Sequence, residues 1–397
     1  MAASPTSKSA PKALLGAVSV VALLAGCSPG AEAPAPPEPT SRVVKAATAV
    51  PQAPPPPAPA CGDPATAVAS MSTRDKLAQL LMVGVTGPAD ARAAVENHRI
   101  GGIMVGSWTD LSMLSNGSLA EIAGSAGPLP LAVSVDEEGG RVSRLSSLIG
   151  SQPSARELAQ TRTADEVYQI ALDRGRQMRG LGITIDFAPV VDVTDAPASS
   201  VIGDRSFGGD PTVVTEFAGA YARGLRDAGI LPVLKHFPGH GSASGDSHNQ
   251  GVSTPPIDQL ESVDLVPYRS LTAQGPVGVM VGHMSVPGLT GNEPASLSPQ
   301  VYGLLRSGNY GGPPFNGPVF TDDLSGMRAI SDRLGVADAV LRSLQAGADV
   351  ALWLSTAEVP AVLDRLESAV ASGELSMSFV DGAVTRIAAM KGPSPRC

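Results

Sequence analysis

The sequence predicts an α/β protein built as a single (β/α)8 TIM barrel, preceded by a lipoprotein signal and a proline-rich tether. Three observations carry this. Eight short apolar runs recur along residues 77–391, each followed by turn residues and a longer stretch of helical character. The runs are near-continuous in Val, Ile and Leu, as parallel strands buried on both faces are, and most gaps are long enough for a crossover helix. Of 397 residues 43% are hydrophobic and 16% charged, enough apolar surface for a large core, which excludes a disordered or fibrous chain.

In chain order, residues 1–26 form an export signal, with Lys8 and Lys12 before an apolar stretch at 14–24 that is too short to span a bilayer. It ends in Leu24-Ala25-Gly26-Cys27, which resembles the lipobox of bacterial lipoproteins and implies lipidation of Cys27. Residues 27–60 make the tether, and positions 29–60 hold 11 prolines, a composition that favours extended polyproline II over a packed element. The globular domain is assigned to 61–397. Its strands are expected at 80–85, 100–105, 131–136, 183–190, 231–237, 277–284, 319–323 and 349–354. Between them, 165–179 and 212–228 read as helices, with Gly180, Gly182 and Gly229 where these stop. A doubly wound open sheet is the alternative, but residues 84–88 lack the glycine spacing of its phosphate turn. The net charge of −9, with no basic run, argues against a nucleic-acid partner.

In a barrel the chemistry belongs at the C-terminal ends of the strands. Strand three ends in Asp136-Glu137-Glu138-Gly139-Gly140-Arg141, strand five in Lys235-His236-Phe237-Pro238-Gly239-His240, and strand seven in Asp322-Asp323. Four of the five histidines, His236, His240, His248 and His283, lie at or just after the ends of strands five and six. Clustering of titratable groups at one rim points to an active site there.

These stretches resemble the family-3 glycoside hydrolases, and within them the single-domain bacterial β-N-acetylglucosaminidases. The resemblance runs from about Met71 to Lys391 and rests on the motifs at 135–142, 187–193, 204–208, 235–241, 246–248 and 320–325. It implies a retaining exo-β-N-acetylglucosaminidase that works through a covalent glycosyl-aspartate. By match to the family motif Asp322 is the nucleophile, and Asp323 beside it should support it. The resemblance implies that His248 is the acid/base and that Asp246, two residues earlier, orients it; the small residues at 239–245 lead to the expectation that this loop closes over the sugar. It assigns Asp136, Arg144, Arg205, Lys235 and His236 to binding the sugar; His283 could lie in or behind that shell. Glu137 stands where Gln is common, Thr321 where Ser is, and Gly326 where Met is.

The expected substrate is a cell-wall muropeptide or other glycan with a terminal N-acetylglucosamine, attacked by a monomer that is exported, lipid-anchored to the membrane and facing the wall. No cofactor and no metal is called for. A metal-dependent hydrolase using His236, His240, Asp246 and His248 is disfavoured because Pro238 and Gly239 break the helix that would align two histidines. Two further alternatives stand: a phosphorylase using the same site, since a histidine acid/base does not repel phosphate, and a non-catalytic glycan-binding lipoprotein. Of three cysteines, Cys61 and Cys397 remain once Cys27 is lipidated, and an oxidising compartment predicts a disulfide between them.

Overall fold

The computed structural model describes residues 63–247 and 251–393. Eight parallel strands form one ring: β1 (Leu81–Val85), β2 (Gly102–Val105), β3 (Ala132–Val135), β4 (Ile185–Asp186), β5 (Leu231–Phe237), β6 (Gly278–Val281), β7 (Val319–Thr321) and β8 (Ala351–Trp353). Each pairs with the next, and β8 pairs with β1 through Leu81 and Ala351. The β7–β8 seam is closed by a bridge between Phe320 and Val350 and by the Leu352 N–H, which donates to Thr321 Oγ1 at 3.0 Å. The threonine that departs from the family pattern thus has a partner in the barrel wall.

All eight predicted runs contain a strand, most of them shorter than expected. The largest difference is at 183–190, where only Ile185–Asp186 is regular. Pro189 has no N–H to give to a ladder, so pairing beyond it becomes irregular, through Val191 N–H to Lys235 O at 2.7 Å and a bridge from Val190 to Lys235. A two-stranded hairpin, Glu137–Gly139 with Val142–Ser143, follows β3 and was not expected. Its turn requires glycine: Gly139 has φ +88° and a Cβ there would lie 2.4 Å from Pro153 O.

The two long predicted helices are Ala164–Gly180 and Pro211–Asp227. A capping box starts the first, with Glu166 N–H donating to Thr163 Oγ1 at 3.2 Å and Thr163 N–H to Glu166 Oε2 at 2.7 Å. Asp210 caps the second by accepting from Thr212 N–H at 2.7 Å. The two pack closely enough that a Cβ on Gly224 would stand 2.5 Å from Tyr168 O. Both end before a left-handed glycine, Gly182 at φ +86° and Gly229 at φ +80°.

At the floor of the barrel, where the strands begin, Asp349 is fully buried. It accepts from Arg306 Nη2 at 2.6 Å, from Arg386 Nε and Nη2 at 2.9 and 2.7 Å, and from Val319 N–H at 2.8 Å. The last helix, Met377–Lys391, packs on the first, Pro64–Ala69. The described segments that flank Cys61 and Cys397 therefore meet; both cysteines, Cys27 and the leader and tether lie outside the described residues.

Candidate active site

The residue after β3 is Asp136, and the hairpin that follows carries Arg144. Buried Glu137 holds that hairpin down: its carboxylate accepts Ser143 Oγ–H at 2.6 Å and the N–H groups of Arg144 and Leu145 at 2.8 and 2.9 Å. It also takes the buried guanidinium of Arg174. A carboxylate at this position, where the family pattern more often has glutamine, is thus matched by a cation on the helix Ala164–Gly180.

Lys235 near the end of β5 reaches across the mouth. Its Nζ donates to Asp136 Oδ1 and pairs with Glu138 Oε1, both at 2.6 Å. Glu138 also receives Arg205 in a two-pronged contact, Nε to Oε2 and Nη2 to Oε1, each at 2.8 Å. Burial opposes ionisation of Glu138, but Arg205 and Lys235 outweigh it and hold the carboxyl well below the usual range. Burial likewise works against the charge on Lys235 and is overcome by Asp136 and Glu138, so the ammonium persists. Arg141 secures the facing loop, giving Nε to Asp204 Oδ1 at 2.8 Å and Nη2 to Ser200 O at 2.6 Å.

Asp192 organises the two histidines of the β5 end. Its Oδ2 meets His236 Nδ1 at 2.7 Å, and its Oδ1 accepts His240 N–H at 2.7 Å. Burial raises the Asp192 carboxyl, yet His236 and His240 lower it further, so it stays an acceptor. That fixes the proton on His236 Nδ1 and turns Nε2 to the cavity.

Asp322, after β7, is half enclosed by such groups. Its Oδ1 accepts Asp323 N–H at 2.9 Å. Burial raises its pKa, but His236, His283, that N–H and Lys235 bring it to about 2, so it is ionised at neutral pH. Asp323 supports it through the backbone, while its own carboxylate accepts Ser325 N–H and Gly326 N–H, each at 2.8 Å. A Cβ on Gly326 would lie 2.6 Å from Asp323 Oδ2, so glycine suits this turn. His283 is buried behind. Its Nε2 meets Asp323 O at 2.7 Å, and because a carbonyl only accepts, that nitrogen carries the hydrogen and Nδ1 accepts from Ser296 Oγ–H at 2.7 Å.

Asp136, Arg144, Arg205, Lys235, His236, Asp246 and Asp322 line one cavity of about 320 Å³, with Arg141, His240 and Ser247 also in its wall. Every described residue predicted for the site is therefore brought together. His248 falls outside the described residues. Arg205 is largely committed to Glu138, whereas no hydrogen bond from the Arg144 guanidinium to a described residue is seen. Sequence reasoning gave no role to Glu138, Asp192 or Arg174. The first two lie inside quoted motifs and could have been flagged as carboxylates beside rim cations; Arg174 lies 37 residues from its partner and carried no signal.

A family model for the glycosyl hydrolase family 3 N-terminal domain matches residues 72–390. The β-hexosaminidase LpqI of Mycobacterium tuberculosis is 65% identical over 98% of this chain and 99% of its own. Its solved structure superposes with a TM-score of 0.85 at 69% identity, covering 87% of this chain and all of that one. A glycosyl hydrolase of family 3 from Mycobacterium smegmatis gives 0.82 at 76% identity, over 82% of this chain and 99% of that one. A family-3 β-N-acetylglucosaminidase from Paenibacillus gives 0.76 at 34% identity, over 81% and 62%. The chain belongs to glycosyl hydrolase family 3 and is a glycoside hydrolase of (β/α)8 architecture.

Proposed function

We propose that the chain is a β-hexosaminidase acting as a retaining exo-β-N-acetylglucosaminidase on glycans with a terminal N-acetylglucosamine, cell-wall muropeptides among them. The observation that carries this reading is Asp322: a half-buried carboxylate held ionised at the mouth, facing a cavity lined with charged and polar side chains. Asp322 attacks the anomeric carbon, and the departing oxygen takes a proton from His248, oriented by Asp246. Water, deprotonated by the same imidazole, then releases the sugar with retained configuration. Asp136, Lys235 and His236 hold ring hydroxyls; Arg144, whose guanidinium has no hydrogen-bond partner among the described residues, offers it to an oxygen of the substrate, and Arg205 keeps Glu138 and hence Lys235 in place. Relatives named for β-hexosaminidase and β-N-acetylglucosaminidase support the sugar assignment.

The protein is read as an exported monomer held at the membrane by lipid on Cys27, with the tether carrying the barrel into the wall. The match to LpqI over 98% of the chain takes in most of the leader. A Cys61–Cys397 disulfide fits the packing of helix Pro64–Ala69 on Met377–Lys391; thiol titration of the exported protein should find neither cysteine free. The catalytic reading is tested by following nitrophenyl β-N-acetylglucosaminide cleavage by NMR. The first-formed sugar should be the β-anomer; an α-anomer first, or no turnover, overturns it.

A further inference from the structure

Aromatic residues make up 4% of the chain, and two are tryptophan. Trp353 on β8 is fully buried, while Trp108, on the loop after β2, is 44% exposed. The only other large apolar side chain exposed among the described residues is Leu148, on the short helix Ser146–Ile149 after β3. An indole standing in water at the catalytic rim calls for an account, because a large apolar face is seldom left uncovered without use.

Its place follows from register. A Cβ on Gly102 would meet Met82 Cε at 2.6 Å and Ala132 Cβ at 3.4 Å, so Gly102 and Ala132 lie on one face of the sheet, the face from which Asp136 enters the mouth cavity. Side chains alternate along a strand, so Gly106 and Asp136, each four residues on, face the same way. Val105 pairs with Val135, which sets Gly106 beside Asp136. A Cβ on Gly106 would lie 2.5 Å from the six-membered ring of Trp108, so the indole fills the inward space that Gly106 leaves empty. The turn is rigid: Gly106 N–H donates to Thr109 Oγ1 at 2.9 Å, that hydroxyl donates to Val85 O at 2.6 Å, and Asp110 N–H donates to Thr86 O at 2.8 Å.

The indole thus stands at the mouth next to Asp136 yet outside the residues that line the charged cavity. We propose that Trp108 is the stacking platform for the sugar ring on the leaving side of the scissile bond. This rests on the reading that the cavity takes the terminal N-acetylglucosamine. If it does, an exo-acting enzyme's substrate leaves the cavity on one side only, and the apolar C–H face of the next pyranose ring is what an exposed, braced indole accepts.

The test uses the full chain carrying Asp322→Asn, which binds without turnover. Tryptophan emission reports Trp108 against a buried Trp353. A β-1,4-linked N-acetylglucosamine disaccharide should shift the emission, and N-acetylglucosamine should compete for the site without reproducing that shift. Adding Trp108→Ala should abolish the shift and weaken disaccharide binding about tenfold with monosaccharide binding unchanged, and Trp108→Phe should retain most of the affinity. Unchanged disaccharide affinity in Trp108→Ala, or an equal loss for both sugars, overturns the proposal while leaving the cavity assignment intact. Failure of the Asp322→Asn protein to bind either sugar overturns the cavity assignment, and the platform with it.

Discussion

At the floor of the barrel, Asp349 gives both oxygens to Arg306, Arg386 and the Val319 amide, and nothing of it is left over. At the mouth, Asp322 takes one backbone N–H on Oδ1, and its other oxygen has no hydrogen-bond partner among the described residues. Both are carboxylates at strand ends in the same ring, Asp349 fully buried and Asp322 half-buried. The difference teaches that a carboxylate at a strand end does not by itself mark a site; unused hydrogen-bonding capacity facing a cavity does. Floor charges close the β7–β8 seam, and at the mouth the Asp322 carboxylate is held ionised with an oxygen to spare for a ligand.

The sharpest separation of the two regions comes from Asp322→Asn. It should reduce turnover more than about 1,000-fold and lower the unfolding midpoint only modestly, because the amide keeps the hydrogen bond from Asp323 N–H but forgoes the attraction of His236, His283 and Lys235 that holds the carboxylate ionised. A loss as large as that of removing the Asp349 carboxylate would make Asp322 a structural residue. His248→Ala should slow substrates with poor leaving groups by about 100-fold or more, yet barely affect nitrophenyl glycosides, since a nitrophenolate departs with little need of a proton. Equal loss on both would take the acid role from His248.

Asp349→Ala should do the reverse of Asp322→Asn. Stranding two arginines at the floor should cost about 3 kcal/mol or more in denaturant unfolding, with turnover per folded molecule unchanged. A pH-dependent effect is expected at Asp264, buried under Gly239 at the β5 end, whose carboxyl burial and then Asp192 push up to about 7 from 3.8. The folded state keeps a proton there that the unfolded chain loses, so stability should fall as pH rises from about 4 through 7. Asp264→Asn should flatten that slope in urea titrations; an unchanged slope would show that the group titrates normally.

Fold and site were legible to different depths. The strands could be read because burial on both faces leaves unbroken apolar runs; their ends could not, since Pro189 and the Gly139 turn redirect the chain through contacts with distant backbone. Asp136, Lys235, His236 and Asp322 could be read because each sits within two positions of a strand end, where the barrel leaves side chains pointing into the mouth. The roles of Glu138 and Asp192 required knowing that β3 and the chain after β4 both face β5. Trp108 carried no signal in sequence, because its position depends on the missing side chain of Gly106.

The account turns on Asp322 being the group that bonds to the sugar. Incubating the protein with a slow fluorinated N-acetylglucosaminide and digesting it for mass spectrometry tests this most directly. The adduct should sit on the peptide containing Asp322, and fragmentation should place it on that side chain. A label on Asp323 or elsewhere, or turnover of such a substrate with no trapped intermediate, would contradict it.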